Sequence, residues 1–179
     1  ILEDFIAKGE KPVYFTLGSP QQIDPENSME LIIEAAKLAK CRAIIQTSST
    51  KYPAGLTKEN IYFTDAAPHS KIFPLCSAVV HHGGAGTTQS ASRAGVPSVV
   101  VSFMDEQTSW GKKLHSLGVA TYPTRYTKTT PKTLANAITN VLASSSMKEK
   151  AKILGQSMSE EDGVNEAVSY CEKIMNSDK

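Results

Sequence analysis

The residues best suited to chemistry are two adjacent histidines followed by a glycine-rich stretch, HHGGAGTT at positions 81–88. Glycine lets backbone N–H groups come close to an oxyanion, and imidazole and threonine hydroxyl groups can donate further hydrogen bonds. A helix that begins inside this stretch would add the partial positive charge of its N-terminus. The stretch is therefore typical of a turn that binds phosphate.

Two well-known phosphate-binding motifs do not match this turn. It has no P-loop lysine, and the spacing of Gly83, Gly84 and Gly86 is not that of the Gly-x-Gly-x-x-Gly dinucleotide motif. Neither nucleoside-triphosphate hydrolysis nor hydride transfer is indicated. A bare glycine-rich turn can also be only a tight connection between a strand and a helix, and here the neighbouring histidines and threonines favour binding.

Short apolar runs alternate with amphipathic stretches on both sides of this turn. Runs rich in β-branched and aromatic residues predict strands at 12–17, 43–46, 61–63, 78–81, 97–101 and 119–122. Helical spacing predicts helices at 1–8, 29–39, 69–73, 86–94, 107–117, 131–142, 148–158 and 163–175. This alternation is typical of an α/β fold, a Rossmann-like parallel sheet with helices on both faces, in which ligands bind after the strands. We expect the last helices to pack on the sheet or to reach toward a neighbouring domain.

Composition narrows the class of protein. The chain has 179 residues, 40% of them hydrophobic, which is enough for the core of one domain spanning 1–179. Nineteen basic and eighteen acidic residues nearly cancel, so neither nucleic acid nor an anionic membrane is expected as the main partner. Cys41, Cys76 and Cys171 show neither a disulfide framework nor metal-ligand spacing. No transmembrane segment is expected, because no apolar stretch is long enough. We therefore expect a cytoplasmic protein, which as a full-length chain could still associate peripherally with a membrane.

One segment carries a family resemblance. The sequence HHGGAGTTQSASRAGVP at 81–97, followed by Glu106-Gln107 and by 117–119, resembles the donor-binding signature of family 1 UDP-glycosyltransferases. The sterol and lipid glucosyltransferases and their bacterial relatives are the most similar branch. The resemblance extends over nearly the whole chain, through residues 11–14, 18–19, 68–69, 75–80 and 159–163. It implies the C-terminal, donor-binding half of a GT-B glycosyltransferase, with the N-terminal acceptor domain outside this sequence.

The resemblance implies that the turn holds the donor's diphosphate. His82 would hydrogen-bond the β-phosphate. The other diphosphate-binding groups would be backbone N–H groups and hydroxyls from Ser19, Gly84, Ala85, Gly86 and Thr87. An isolated histidine at position 82 could instead be a core residue bonded to a backbone carbonyl. His81, one residue earlier on an extended strand, is expected to point the other way and to be structural.

Glu106 and Gln107 are the expected sugar-binding residues. They stand where the family usually has Asp-Gln, whose side chains bond hydroxyls of the transferred sugar. A carboxylate beside an amide offers both acceptors and donors to adjacent hydroxyls. Asp105 and Glu106 could instead only place negative charge in the first turn of the following helix. The longer side chain of Glu106 leaves the identity of the sugar open.

Ala67 and His69 are the candidates for binding the edge of uracil. The plant branch of the family has a stacking Trp where this chain has Ala66, and a ribose-binding Glu where it has Ser90. Stacking from that position is therefore not expected, and the ribose contacts stay open. His69 could equally be a surface residue at the start of a helix. Trp110, on an amphipathic helix, is interpreted as a core residue.

The implied activity is an inverting transfer of a hexose, which we expect to be glucose, from a UDP-sugar such as UDP-glucose to a hydroxyl of a lipophilic or small-molecule acceptor. The family's general base is a histidine of the acceptor domain, so no catalytic residue is expected in this chain and the chain alone should be inactive. The expected partners are the UDP-sugar, the acceptor and the protein's own N-terminal domain. No cofactor is expected, and no metal ion, since no Asp-x-Asp stands near the turn. Two alternatives stay open: a non-catalytic nucleotide-sugar-binding or interaction module of the same fold, and a sugar-nucleotide epimerase, whose phosphate-binding patterns differ from HHGGAGTT.

Overall fold

The computed structural model describes residues 2–18, 25–47, 49 and 51–177. Within these residues seven strands form one sheet: β1 (Val13–Thr16), β2 (Ala43–Gln46), β3 (Thr57–Lys58), β4 (Ile61–Thr64), β5 (Ala78–His81), β6 (Ser98–Ser102) and β7 (Thr124–Arg125). The α-helices are α1 (Leu2–Ala7), α2 (Pro25–Leu38), α3 (His69–Ile72), α4 (Ala85–Arg93), α5 (Asp105–Ser116), α6 (Pro131–Ala143), α7 (Ser145–Ser159) and α8 (Gly163–Ser177). Short 3-10 helices lie at Phe73–Leu75 and Tyr126–Lys128.

The order of the strands creates a natural place for a ligand. The order is β3-β4-β2-β1-β5-β6-β7, and within the described sheet only the pair of β3 and β4 is antiparallel. The chain first builds outward from β1 through β2 and β4, and then returns to the other side of β1 with β5 and β6. The direction of building therefore reverses between β1 and β5. In open parallel sheets ligands bind at such a reversal, outside the carboxyl ends of the strands.

Both faces of the sheet are covered. Along β1, Val13 and Phe15 face one layer and Tyr14 faces the other, as expected for an extended strand. The first face is covered by α2 and α6. The second face is covered by α1, α3 and α4. Next to this second group, α5 and α7 pack against β6. Because each central strand buries both faces, its sequence is a continuous apolar run. The predicted α/β fold, with a mostly parallel sheet and helices on both faces, is confirmed.

The two edges of the sheet differ from the prediction. The strand predicted at 119–122 is wrong: within it only Ala120 forms a bridge, to the first residue of β6, and pairing resumes at Thr124–Arg125. Pro123 lies between, and a residue without an N–H cannot donate to the ladder. At the other edge, β3 forms a hairpin with β4 that was not predicted, across a turn in which Glu59 has a φ of 55°.

Two of the last three helices pack on the rest of the domain, as one of the two expected arrangements requires, and the third is exposed. α6 packs against α2, and α7 packs against α4. In α8, by contrast, residues 163–176 are all exposed. Val164, Val168 and Met175 are exposed by 76%, 50% and 73% and lie at helical spacing. This helix therefore presents an apolar stripe to the outside.

Candidate functional site

The carboxyl ends of β1 and β5 form the centre of the candidate site. Thr16, the last residue of β1, pairs with His81, the last residue of β5. The loop after β1 and the glycine-rich turn after β5 therefore begin side by side, at the reversal of strand order. Ser19, which was expected to approach the phosphates from the first of these loops, lies outside the described residues.

The imidazole ring of His82 is enclosed by two glycines. A Cβ atom built on Gly18 would lie 2.5 Å from His82 Cε1, and one built on Gly84 would lie 2.3 Å from His82 Nε2. Both distances are far shorter than the contacts of real Cβ atoms, so neither position can carry a side chain while the ring stays in place. Gly18 also has a φ of +64°, which favours glycine. The absence of a side chain at these two positions therefore leaves the space that the His82 ring occupies.

His82 is set up as an uncharged donor. Burial lowers the pKa of its imidazole below the ordinary value, the nearby carbonyl of Thr16 raises it in part, and His69 lowers it further. The carbonyl of Thr16 nevertheless makes no hydrogen bond of ordinary geometry with the ring, and Nδ1 is buried without a partner among the described residues. A neutral imidazole carries one N–H donor, and an adjacent phosphate would raise its pKa. The ring can therefore donate to an anion and gain charge when one binds.

His81 points into the interior, as predicted. Its side chain is fully buried, and its Nδ1 accepts a hydrogen bond from the N–H of Gly83 at 3.1 Å. Burial, followed by the neighbouring His82 and His69, lowers the pKa of His81 to about 3. An uncharged His81 therefore supports the turn from the inside, whereas His82 is only half-buried.

We expect acid to destabilise the chain through His81. Its pKa is about 3 in the folded state, against about 6.5 for an ordinary histidine in the unfolded chain. The contribution to stability is therefore fully present above about pH 6.5 and is lost as the pH falls, because the unfolded state binds the proton first. The loss approaches about 1.4 kcal/mol per pH unit. Urea unfolding at a series of pH values measures it.

The matched variant is His81→Asn, whose amide oxygen can still accept from Gly83 but does not titrate. We expect it to be less stable than the wild type at neutral pH, and its stability to fall less steeply, by about one proton, between about pH 6 and pH 4. His69 and His82, whose pKa values burial also lowers, titrate in both proteins and cancel in the comparison. Equal slopes would contradict a buried, neutral His81.

The turn also presents the first amides of a helix. Gly84 is the N-cap residue of α4, and no side chain caps the first turn of this helix. The N–H groups of Ala85, Gly86 and Thr87 are therefore available to an anion, with the partial positive charge of the helix behind them. A Cβ atom on Gly86 would have nothing within 4 Å, so the space beside this turn is open.

Gly83 brings the turn against α5. Its φ is +87°, and a Cβ atom there would lie 2.6 Å from the backbone oxygen of Gln107. The side chain of Gln107 is buried, and its Oε1 accepts a hydrogen bond from the N–H of Phe103 at 2.8 Å, which leaves the amide N–H₂ group as a donor. Glu106 is exposed in the first turn of α5. The two residues expected to bind sugar therefore lie beside the turn. Glu106 is open to solvent, whereas Gln107 is hydrogen-bonded within the loop before α5.

Ala67 and His69 follow β4, whose carboxyl end lies at the same edge of the sheet. The His69 ring stacks on Phe73 with ring centroids 4.3 Å apart and meets Tyr14 edge-on at 6.3 Å. Burial lowers the pKa of His69. The electrostatic effect of the nearby His69 also lowers the pKa of both His81 and His82. His69 begins α3, but it is half-buried and held by aromatic contacts close to the turn.

Gly18 and Arg125 lie at the candidate site, although neither was predicted to lie there. The sequence marks Gly18 only as the end of the first strand, and its contact with His82 exists because β1 and β5 pair. Arg125, beside the end of β6, forms an ion pair with the exposed Asp105 in the first turn of α5. Nothing local signals this pair, since its partners are 20 residues apart. The pair occupies Asp105 and leaves Glu106 as the neighbouring free carboxylate.

The described ranges contain neither a metal cluster nor a membrane-spanning helix. No group of three or more His, Cys, Asp or Glu side chains there is arranged to hold a metal ion. None of the described helices combines the length and the apolar character needed to cross a bilayer.

The chain matches a known family model and curated relatives. Residues 32–174 match the erythromycin biosynthesis protein CIII-like, C-terminal domain. The sterol 3-beta-glucosyltransferase UGT80A2 of Arabidopsis thaliana is 37% identical over 172 residues, which cover 93% of this chain and 26% of that protein. The O-mycaminosyltylonolide 6-deoxyallosyltransferase of Streptomyces fradiae is 34% identical over 173 residues, which cover 96% of this chain and 40% of that protein. The chain thus spans between about a quarter and two fifths of the length of these relatives.

Solved structures share the fold. The glycosyltransferase of kitacinnamycin matches with a TM-score of 0.78 at 21% identity, over 93% of this chain and 43% of that one. The glycosyltransferase VinC matches with a TM-score of 0.77 at 22% identity, over 96% of this chain and 43% of that one. At such identities the likeness shows the fold alone, which is that of one part of a GT-B glycosyltransferase.

Proposed function

Because this chain belongs to the family of the erythromycin biosynthesis protein CIII-like C-terminal domain, we propose that it is the donor-binding domain of an inverting glycosyltransferase. The full-length enzyme transfers a hexose, glucose in our proposal, from a UDP-sugar to a hydroxyl of a lipophilic or small-molecule acceptor. The resemblance to sterol glucosyltransferases and bacterial glycosyltransferases is confirmed by the curated relatives. The observation that carries the proposal is the His82 ring held between Gly18 and Gly84, beside the uncapped first turn of α4.

The proposed ligand of the turn is the donor's diphosphate. His82 donates to an oxygen of the β-phosphate, while the backbone N–H groups from Gly84 to Gly86 and the hydroxyl of Thr87 hold the remaining oxygens. Ser19 completes the set in our proposal. These contacts strengthen as the UDP leaving group gains negative charge in the transition state. The same groups therefore serve binding and leaving-group stabilisation, while the general base belongs to the acceptor domain.

The proposed nucleobase of the donor is uracil, which would lie next to the backbone of Ala67 and to His69. VinC was solved in complex with dTDP, so a protein of this fold binds a pyrimidine nucleoside diphosphate. The ring of His69 stacks on Phe73 near the turn, which supports His69 as a contact for a nucleobase whose diphosphate binds at α4. Comparing UDP with dTDP as ligands tests whether the methyl group of thymine is excluded.

Glu106 and Gln107 are the proposed sugar contacts. The carboxylate of Glu106 is exposed and can accept from sugar hydroxyls, while Arg125 is paired with Asp105. Gln107 keeps its Oε1 on the N–H of Phe103 and offers its N–H₂ group as a donor. An acceptor and a donor on adjacent residues suit two neighbouring hydroxyls. Glucose is supported by the sterol glucosyltransferase relative, whereas the Streptomyces relative is named as a deoxyallosyltransferase.

The N-terminal acceptor domain is the proposed partner of α8. Residues 1–179 form one donor-binding domain in this proposal, and about three quarters of the Arabidopsis relative lies outside the match. The apolar stripe of Val164, Val168 and Met175 lies on a helix whose described residues are all exposed. Contiguous exposed apolar surface marks an interaction site. The helix therefore carries this stripe onto the acceptor domain, which closes the cleft over the donor.

The variant His82→Ala tests the diphosphate contact. Removing a hydrogen bond to a charged group costs about 1.5–3 kcal/mol, so the affinity for UDP should fall by about tenfold to a hundredfold. Uridine has no phosphate and should bind nearly as well as to the wild type. Calorimetric titration at millimolar ligand measures both affinities.

The matched control is His115→Ala, which removes an exposed imidazole on α5 and should change neither affinity. Equal losses of UDP and uridine binding in the His82 variant would refute the assigned contact. Absence of UDP binding by the wild-type chain would refute the proposed function.

A further inference from the structure

A cavity of about 820 Å³ lies at the edge of the sheet opposite the proposed donor site. Its wall includes residues that immediately precede the parallel strands β2, β5 and β6, namely Arg42, Ser77 and Pro97. The C-terminal ends of α2, α4 and α6 close its sides. Since the strands are parallel, the length of a four-residue strand, roughly 13 Å, separates this edge from the turn after β5. The cavity is therefore distinct from the donor site.

The lining of this cavity is strongly cationic. The acidic residue is Glu10, and the cations are Lys11, Lys40, Arg42, Lys148 and Lys152. The whole chain, by contrast, has a net charge of only +1. This concave surface therefore carries an excess of positive charge that the chain as a whole does not have. A concave wall of one sign focuses the electrostatic potential and attracts counter-ions.

Three of the five cations have contacts with the backbone. Lys11 and Lys148 each donate to one backbone carbonyl, at 3.3 Å and 2.6 Å, and Arg42 donates to two. Of these contacts, the one from Lys148 to the carbonyl of Leu142 caps the C-terminal end of α6, which brings partial negative charge to this edge. An ammonium group has three donors, so Lys11 and Lys148 each keep two for another acceptor.

The other two cations, Lys40 and Lys152, have no side-chain contact that folding would require. Neither ammonium group makes a hydrogen bond or an ion pair within the described part of the chain. Lys40 follows α2 with a φ of 51°, a left-handed conformation in which glycine or asparagine is usual and other residues are destabilising. Folding alone therefore does not explain a lysine at this position of the cavity wall.

No other side chain of the lining neutralises these cations. Cys41 and Cys76 lie in the wall, and burial raises the pKa of their thiols to about 11 and about 12, so both stay uncharged at neutral pH. Glu10 forms no ion pair within the described residues. Hydrogen bonds between ammonium groups and phosphate oxygens are among the strongest in proteins. The volume is also in the range of small-molecule sites, about 300–1,000 Å³.

We propose that this cavity is a second anion site, which binds a phosphate-bearing ligand through Lys40, Lys152 and the remaining donors of Lys11 and Lys148. It acts independently of the diphosphate turn. A soluble phosphate compound and the headgroup of a phospholipid share this chemistry, and the experiment separates them.

Inorganic phosphate is the probe for the site, titrated into the ¹⁵N-labelled chain and followed by amide chemical shifts. We expect saturable shifts at the amides of Lys40 and Gly95 in the cavity wall. The double variant Lys40→Asn/Lys152→Gln should bind at least about tenfold more weakly, since two charge-assisted contacts are lost. Asparagine tolerates the left-handed conformation, so the variant should fold. UDP, followed at the amides of Gly84 and Gly86, should bind the variant as it binds the wild type, which separates this proposal from the proposed function.

The matched control is Lys58→Gln/Lys132→Gln, which removes two exposed lysines outside the cavity. It should bind phosphate as the wild type does. Sedimentation with phosphatidylcholine vesicles, with and without phosphatidic acid, distinguishes the sources. Binding to the anionic vesicles that the double variant loses assigns a lipid headgroup, and phosphate binding without vesicle binding assigns a soluble ligand. Equal phosphate binding by the double variant and the wild type, or the same shifts with equal chloride, would overturn the proposal.

Discussion

Replacing Gly84 with alanine is expected to weaken UDP binding by about tenfold to a hundredfold, as His82→Ala does, while the chain still folds. The new Cβ atom would lie 2.3 Å from His82 Nε2. The atoms that this Cβ would meet belong to the His82 side chain, so the ring must rotate or shift away to make room. The backbone of Gly84 has φ −64° and ψ 144°, which alanine adopts readily, so the effect is steric rather than conformational. His82 must then leave the turn, and its proposed phosphate contact is lost. Calorimetry measures binding, and thermal unfolding shows that the fold persists.

Two further alanine variants serve as a second test and as a control for this prediction. In Gly18→Ala the new Cβ atom would lie 2.5 Å from Cε1 of the same ring, so this variant should weaken UDP binding to a similar degree. It should also be less stable than Gly84→Ala, because its φ of +64° disfavours alanine. Gly86→Ala is the stability control: its Cβ atom meets nothing within 4 Å, and alanine stabilises a helix by up to about 1 kcal/mol. A Gly84→Ala variant that binds UDP like the wild type would contradict the enclosure of His82.

The central strands could be predicted because burial on both faces leaves a clear trace in the sequence. β1, β2, β5 and β6 are continuous apolar runs, and each lies between helices in the structure. The edges leave no such trace. β3 is exposed, and its hairpin turns through Glu59 at a positive φ rather than through an Asn-Gly pair. The run at 119–122 is apolar because Val119 and Ala120 are buried, yet Pro123 stops the pairing.

The candidate site was predictable as far as it is local. Alternation along an extended strand separates a buried His81 from a half-buried His82, and the glycines after them indicate the turn. The confinement of His82 was not predictable, because Gly18 becomes its neighbour only when β1 and β5 pair. The hydrogen bond from Phe103 N–H to Gln107 Oε1 could not be predicted either. The loop before α5 needs an acceptor, and the sequence does not reveal which one it uses.

Replacing Gly155 with alanine is expected to destabilise the whole chain more than the same change at Gly84 or Gly86. Gly155 lies in α7, where a Cβ atom would stand 2.7 Å from Gly95 Cα, 2.8 Å from Gly95 N and 3.1 Å from the carbonyl oxygen of Ser92. These are backbone atoms, which cannot rotate away as a side chain can. Either α7 must move off the end of α4, or the turn between α4 and β6 must shift. Overpacking of this kind costs about 3 kcal/mol, which exceeds the gain of about 1 kcal/mol in helix propensity.

Urea unfolding measures this loss against Gly163→Ala, whose Cβ atom on α8 meets nothing within 4 Å and should leave the free energy of unfolding within about 1 kcal/mol of the wild type. The two variants add the same methyl group to helices that differ in whether they pack on the domain. α7 is held to α4 additionally by a hydrogen bond from Arg93 Nη1 to the carbonyl of Met158 at 2.5 Å. Because that contact lies at the end of α4 away from the turn, folded Gly155→Ala should still bind UDP. Equal stability of the two variants would mean that α7 does not hold α4 in solution.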